Sequence, residues 1–106
     1  TSAAFIRLTR VACAEVAKPE WWNDEGLRAL SARVVRAAPN DTSANQMRAA
    51  VLSGQCDAWE AGPRSSAELK EAAACWEQAA ALCDAPAGKA HFVRLAVLYR
   101  SKAEAM

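Results

Sequence analysis

The sequence predicts an all-α protein of about five helices, paired as antiparallel helical hairpins in one domain spanning residues 1–106. Three observations carry that class. Alanine occurs 27 times, against 18 for Leu, Val, Ile and Phe together, and alanine both favours helix and lets helix axes approach closely. The β-branched and aromatic residues that strands prefer are sparse. Pro19, Pro39, Gly54, Pro63, Pro86 and Gly88 punctuate the chain into five segments, and short loops between helices force antiparallel neighbours. A chain of this length supports a single core.

Each segment has its own signature. The first, residues 2–18, places Phe5, Leu8, Ala12 and Val16 on one face at intervals of three and four before Pro19 stops it. After the linker Glu20-Trp21-Trp22, Asn23 or Asp24 caps a second helix reaching Ala37, with Leu27, Leu30, Val34 and Ala38 on its apolar side. The third opens behind Pro39-Asn40-Asp41, where Ser43-x-x-Gln46 reads as a capping box; it buries Met47, Val51 and Leu52 and ends at Gly54. Residues 54–64 read as an insertion, since a connector near ten residues exceeds the usual bundle loop. Ser65-x-x-Glu68 is the clearest capping box and opens a fourth helix that reaches Cys83. Asp84 then reads as the cap of a fifth helix running from Pro86 to Ala105.

Ala72, Trp76 and Ala79 in the fourth helix, with Phe92, Leu95, Ala96 and Tyr99 in the fifth, form two phrases that resemble a tetratricopeptide repeat (TPR) read across a repeat junction. Ala72, Trp76 and Ala79 match the small–aromatic–small spacing of that family's second helix, with Leu82 and Pro86 following. Phe92, Leu95, Ala96 and Tyr99 match its first-helix phrase at every position. Phe5, Leu8, Thr9 and Ala12 fit that phrase loosely, and Asn45, Arg48, Ala49 and Leu52 more loosely still. Successive phrases lie 40 and 47 residues apart, against the family's roughly 34. The excess falls at residues 19–22 and in the 54–64 insertion. The resemblance implies about two and a half helix pairs, in a right-handed superhelix or closed into a compact bundle. A second resemblance is to microtubule-interacting-and-transport (MIT) domains, three-helix modules that bind short helical motifs. It rests on Tyr99-x-x-Lys102-Ala103-Glu104-x-Met106 and on Ala72, Trp76 and Ala79. The span from Ala79 to Ala103 is about two turns too short for it.

The TPR resemblance implies a concave surface lined by the first helix of each pair. Ala90, Val93, Val97 and Arg100 would line it from the last pair, Ala3, Ile6, Arg10 and Cys13 from the first, and Ser43, Gln46, Ala50 and Ser53 from the middle. Val93 and Val97 stand where carboxylate-clamping members need Lys and Asn, so the groove would take an apolar helix or strand, with Arg10 and Arg100 as anion contacts. The alternative is that Ile6, Val93 and Val97 are core. Trp21, Trp22 and Trp59 sit in linkers, where a tryptophan either lids a core or marks a partner surface. Arg33, Arg36, Glu68, Lys70 and Glu71 read as solvated helix faces.

Thirteen basic residues against twelve acidic leave a net charge of +1, which excludes nucleic-acid or anionic-membrane binding by bulk electrostatics. No stretch approaches the roughly 20 apolar residues of a membrane span, and Arg7, Arg10 and Glu15 break any signal-peptide pattern. The scarcity of acids before Glu15 keeps an organellar leader open. Cys13, Cys56, Cys75 and Cys83 contain no C-x-x-C pair and read as reduced thiols of an intracellular, cytoplasmic protein. Cys75, Cys83 and His91 are evenly spaced, yet eight helical residues separate the two thiols by about 12 Å, too far for one tetrahedral ion. No metal, cofactor or catalytic motif is present; Cys83 with His91 is the one thiol–base pairing near in sequence, and it would need a depressed thiol pKa. The sequence thus points to a non-enzymatic scaffold that binds a protein or peptide. An MIT-like module and a structural subunit of a larger assembly stand as the alternatives.

Overall fold

The computed structural model describes residues 23–54 and 62–106. It contains four helices among them: α1 (Asp24–Ala37), α2 (Thr42–Ser53), α3 (Ser66–Leu82) and α4 (Pro86–Glu104). Residues 2–18, expected to form a fifth helix, lie outside the described residues, so these four are the expected second to fifth. Each helix packs chiefly against the next one in the chain. The short connections from α1 to α2 and from α3 to α4 keep each of those pairs adjacent.

The caps set where each helix begins. Asn23 accepts from the Gly26 N–H at 2.8 Å and opens α1, whose first turn carries Asp24 and Glu25 against the positive end of the helix dipole. For α2 the expected Ser43–Gln46 box is replaced by Asp41, whose Oδ2 accepts from the Ala44 N–H at 2.8 Å. Asp41 stands two residues earlier and takes the exposed N–H groups first. Asn45 fixes the same turn, its buried amide donating to the Pro39 and Asp41 carbonyls at 2.9 and 3.0 Å. Ser65 and Glu68 form the expected reciprocal capping box at the start of α3. Asp84 does not cap α4. The N-cap is Ala85, which makes no side-chain hydrogen bond, and Pro86 follows it in the first turn, where its missing N–H costs nothing.

The main cluster joins α2, α3 and α4. Ala49, Leu69, Ala73, Trp76, Ala79, Ala80, Phe92, Ala96, Tyr99 and Ala103 pack together, with Ala50, Cys75, Cys83 and Leu95 half-covered at its margin. The Trp76 and Phe92 rings stack at 5.6 Å between centroids and 21° between planes. Such a stack needs the helices close, and Ala72, Ala79 and Ala96 supply that closeness by being small and buried. A polar node runs through the cluster. The Ser53 hydroxyl donates to the Ala49 carbonyl at 2.6 Å, accepts from Trp76 Nε1 at 3.2 Å, and is hydrogen-bonded with Tyr99. Three helices are therefore held by one hydroxyl group. Ser53 is accordingly buried, not the groove-lining residue the repeat pattern implied.

The other end is tied by arginines. Arg64, only 5% exposed, forks onto Asp24 of α1 and reaches the Val51 carbonyl in the last turn of α2 at 2.8 Å. A cation there also complements the negative end of the helix dipole. Arg28 pairs with Asp24 and Glu68 at 3.1 and 3.3 Å. Arg48 joins Glu71 to Ser31 and the Arg28 carbonyl. Glu68 and Glu71 are thus ion-paired across helices, while Arg33, Arg36 and Lys70 are exposed as their spacing implied. On α1 the buried residues are Leu27 and Ser31; Leu30, Val34 and Ala38 are half-covered.

Glu68 carries a measurable consequence of this packing. Burial acts to raise its pKa, but the Ser65 N–H, the Arg28 charge and the Ser65 hydroxyl outweigh it, and the carboxyl lies below its ordinary value. A depressed acid contributes stability above the unfolded pKa, near 4.3, and that contribution is lost as pH falls through the folded value. Glu68→Gln is therefore expected to flatten the acid limb of a stability–pH profile below about pH 4.5. Identical acid limbs for variant and wild type would refute the assignment.

Candidate functional site

The repeat of Phe92, Ala96, Tyr99 and Ala103, at intervals of four, three and four, buries one side of α4 against α3 and α2. Val93 and Val97, one position after Phe92 and Ala96, are turned about 100° away and face solvent, as does Leu98 one position before Tyr99. Val93 is 46% exposed, Val97 62% and Leu98 44%. Val93 and Val97 are therefore not core residues. Ala90, Arg94 and Ser101 are exposed beside them. Valine and leucine raise no sequence signal of their own on a helix this rich in alanine, and Leu98 has no place in the repeat phrase; its spacing of four from Arg94 and five from Val93 is the only hint that it joins the face.

Arg100, one turn beyond Val97, is ion-paired with Glu77 of α3, both side chains about half exposed. Lys102 lies 5.2 Å from the centroid of the Tyr99 ring. Lys89 and Arg94 are exposed and form no ion pair among the described residues. The helix carries these four cations against one carboxylate, Glu104, a formal charge of +3 in a chain whose total is +1. Met106, just past the helix, is 68% exposed.

The other expected site residues are placed less closely together. Gln46 is half-covered on α2, on the same strip as Ser43 and Ala50. Ile6, Arg10, Trp21, Trp22 and Trp59 lie outside the described residues, as do Ala3 and Cys13. Val93, Val97 and Arg100 are the three expected residues that share a helix side.

Among the described residues no group of three or more His, Cys, Asp or Glu side chains is arranged to hold a metal ion. No described helix is long and apolar enough to cross a membrane. The Cys83 thiol donates to the Ala85 carbonyl at 3.6 Å, and the exposed His91 ring is tilted against Phe92 at 5.9 Å. Cys75 is half-buried beside the core. Burial first, and then the Glu71 charge, push its thiol up to about 11 against a smaller opposing effect of Arg48. At neutral pH Cys75 is expected to react with iodoacetamide about tenfold or more slowly than in the urea-unfolded chain, since alkylation proceeds through the thiolate. Equal rates in peptide-resolved mass kinetics would contradict this. Compared with known proteins, the chain matches no family model, no curated protein and no solved structure.

Proposed function

We propose that this chain is a non-enzymatic protein-interaction module that takes a partner peptide or helix on the open side of a TPR-like stack of hairpins. The observation that carries the reading is the exposure of Val93, Val97 and Leu98 together on α4. Scattered apolar residues on a surface are ordinary, but neighbouring ones on a single helix face form a patch whose burial by a partner is favourable. Packing of each helix on its chain neighbour favours a stack over a closed three-helix module of the MIT type. The placement of Ala72, Ala79 and Ala96 beside Trp76, Phe92 and Tyr99 favours it too. The free thiols Cys75 and Cys83 suit a reducing, intracellular setting.

Val97→Glu tests the reading. At a site 62% exposed the change is expected to alter stability by no more than about 0.5 kcal/mol. It is expected to abolish retention of the proteins that a tagged wild-type chain holds from its own source extract. A folded variant that keeps the same proteins would overturn the proposal. A structural subunit, buried on many sides, would lose assembly only in part.

A further inference from the structure

We infer that the open face of α4 takes an acidic amphipathic helix, with an apolar stripe laid along Val93, Val97 and Leu98 and carboxylates meeting Arg94 and Lys89. This rests on the reading of the chain as an interaction module and names the chemistry of its partner. Arg94 stands at the centre of the argument. It lies one residue after Val93 and three and four before Val97 and Leu98, so it rises within the apolar patch and not at its rim. A partner that covers the valines must also desolvate or pair that guanidinium. Burial without a partner charge is costly, whereas a carboxylate placed opposite gives a two-pronged, charge-assisted contact. Lys89, about one turn earlier, repeats the demand at the N-terminal end of the patch.

The neighbouring charges agree. Arg100 is neutralised by Glu77, and Lys102 lies against Tyr99. Lys89 and Arg94, which have neither an ion pair nor a ring contact among the described residues, thus lie beside Ala90, Val93 and Val97. A second copy of this chain laid α4 on α4 is a poorer occupant, because it would set Lys89 and Arg94 against the same two cations. An anionic lipid surface is also poorer. Interfacial helices carry broad apolar faces with Trp, Phe or Leu, and this face offers two valines, one leucine and no aromatic side chain.

Two synthetic helices of about 18 residues, stapled to hold their conformation, provide the test; that length spans about 27 Å, roughly that of α4. Both share one leucine stripe, one with Glu and the other with Lys along its borders. Fluorescence anisotropy against the full chain is expected to show the Glu peptide binding about tenfold more tightly at low salt, a preference that shrinks at physiological salt. Arg94→Glu is expected to remove or invert that preference. Arg94→Gln, which keeps the side chain long and uncharged, is expected to lessen it. Equal affinity for the two peptides, or no binding of either, overturns the inference. So does co-sedimentation with phosphatidylserine vesicles that Arg94→Glu abolishes, or a dimer in sedimentation velocity that Val97→Glu dissolves. Loss of natural partners on Val97→Glu with no peptide preference would leave the interaction reading standing and remove only the acidic partner. Retention of those partners removes the interaction reading itself.

Discussion

Trp76→Ala is expected to destabilise the protein by about 3–5 kcal/mol, the range for deleting a large buried aromatic. That is a large fraction of the roughly 5–15 kcal/mol that holds a domain folded. Trp76 is 6% exposed, stacks on Phe92 of α4, and donates to Ser53 of α2. Its removal empties a place where α2, α3 and α4 meet, and flanking alanines are too short to fill the space. Smaller changes separate the ring from its N–H group. Trp76→Phe retains most of the stacking area and loses a hydrogen bond, so a cost near 1–2 kcal/mol is expected. Ser53→Ala leaves the buried indole N–H without its acceptor and is expected to cost about 1–3 kcal/mol. Urea unfolding followed by far-UV circular dichroism avoids relying on the tryptophan signal that the substitution alters. Combining Trp76→Phe with Ser53→Ala is expected to cost less than the two single effects together, because both remove the same bond. Strict additivity would show that the Ser53–Trp76 contact contributes nothing.

Arg64→Met is the second large effect, expected at about 3 kcal/mol, the lower end for breaking a buried ion pair. The lower end applies because Asp24 is 20% exposed and keeps its pairing with Arg28. Methionine approximates the stem of the side chain, so what is lost is chiefly the guanidinium that joins Asp24 to the Val51 carbonyl. Arg64→Lys restores the charge without the planar fork and is expected to recover only part of the stability. A midpoint shift for Arg64→Met within the scatter of surface substitutions would show that the segment before α3 is not anchored there. Asp24→Asn in the Arg64→Met background is expected to be milder than in the wild type, since the ion pair is already gone.

The sequence was legible where information is local. Asn23, the Ser65–Glu68 box, Pro86 and Gly54 mark helix ends through groups within three or four residues of one another. The spacing of Phe92, Leu95, Ala96 and Tyr99 was readable for the same reason, as a match to a repeat phrase, and the structure buries Phe92, Ala96 and Tyr99. Ser43 and Asp84 failed as caps because each competes with a neighbour. Asp41 is closer to the free N–H groups of α2, and Asp84 stands one residue outside the first turn that Pro86 defines. Arg64 was opaque. A basic residue after Gly62-Pro63 reads as solvated linker, and its burial depends on Asp24, forty positions away. The surface shows the same division. The repeat resemblance implied Val93, Val97 and Arg100, but only the packing of α3 decides that the valines are open and that Arg100 is taken up by Glu77. Leu98 and Arg94 went unread, since their significance comes from what lies next to them across turns of a helix.

Gly54 leaves α2 with φ +66, and a Cβ built there would lie 3.2 Å from the Arg64 side chain. The Arg64 side chain therefore lies against the residue at which the chain leaves α2. Residues 55–61 connect those two points. Closing a flexible loop between ends already held together scales with the logarithm of its length, so doubling it adds only about 0.6 kcal/mol. Evolution is free to write into that stretch, or to delete from it, without renegotiating how α2 meets α3. Extra length within the 47 residues between Asn45 and Phe92 can be housed there. The Gly54–Arg64 clasp makes that span a place where length is nearly neutral.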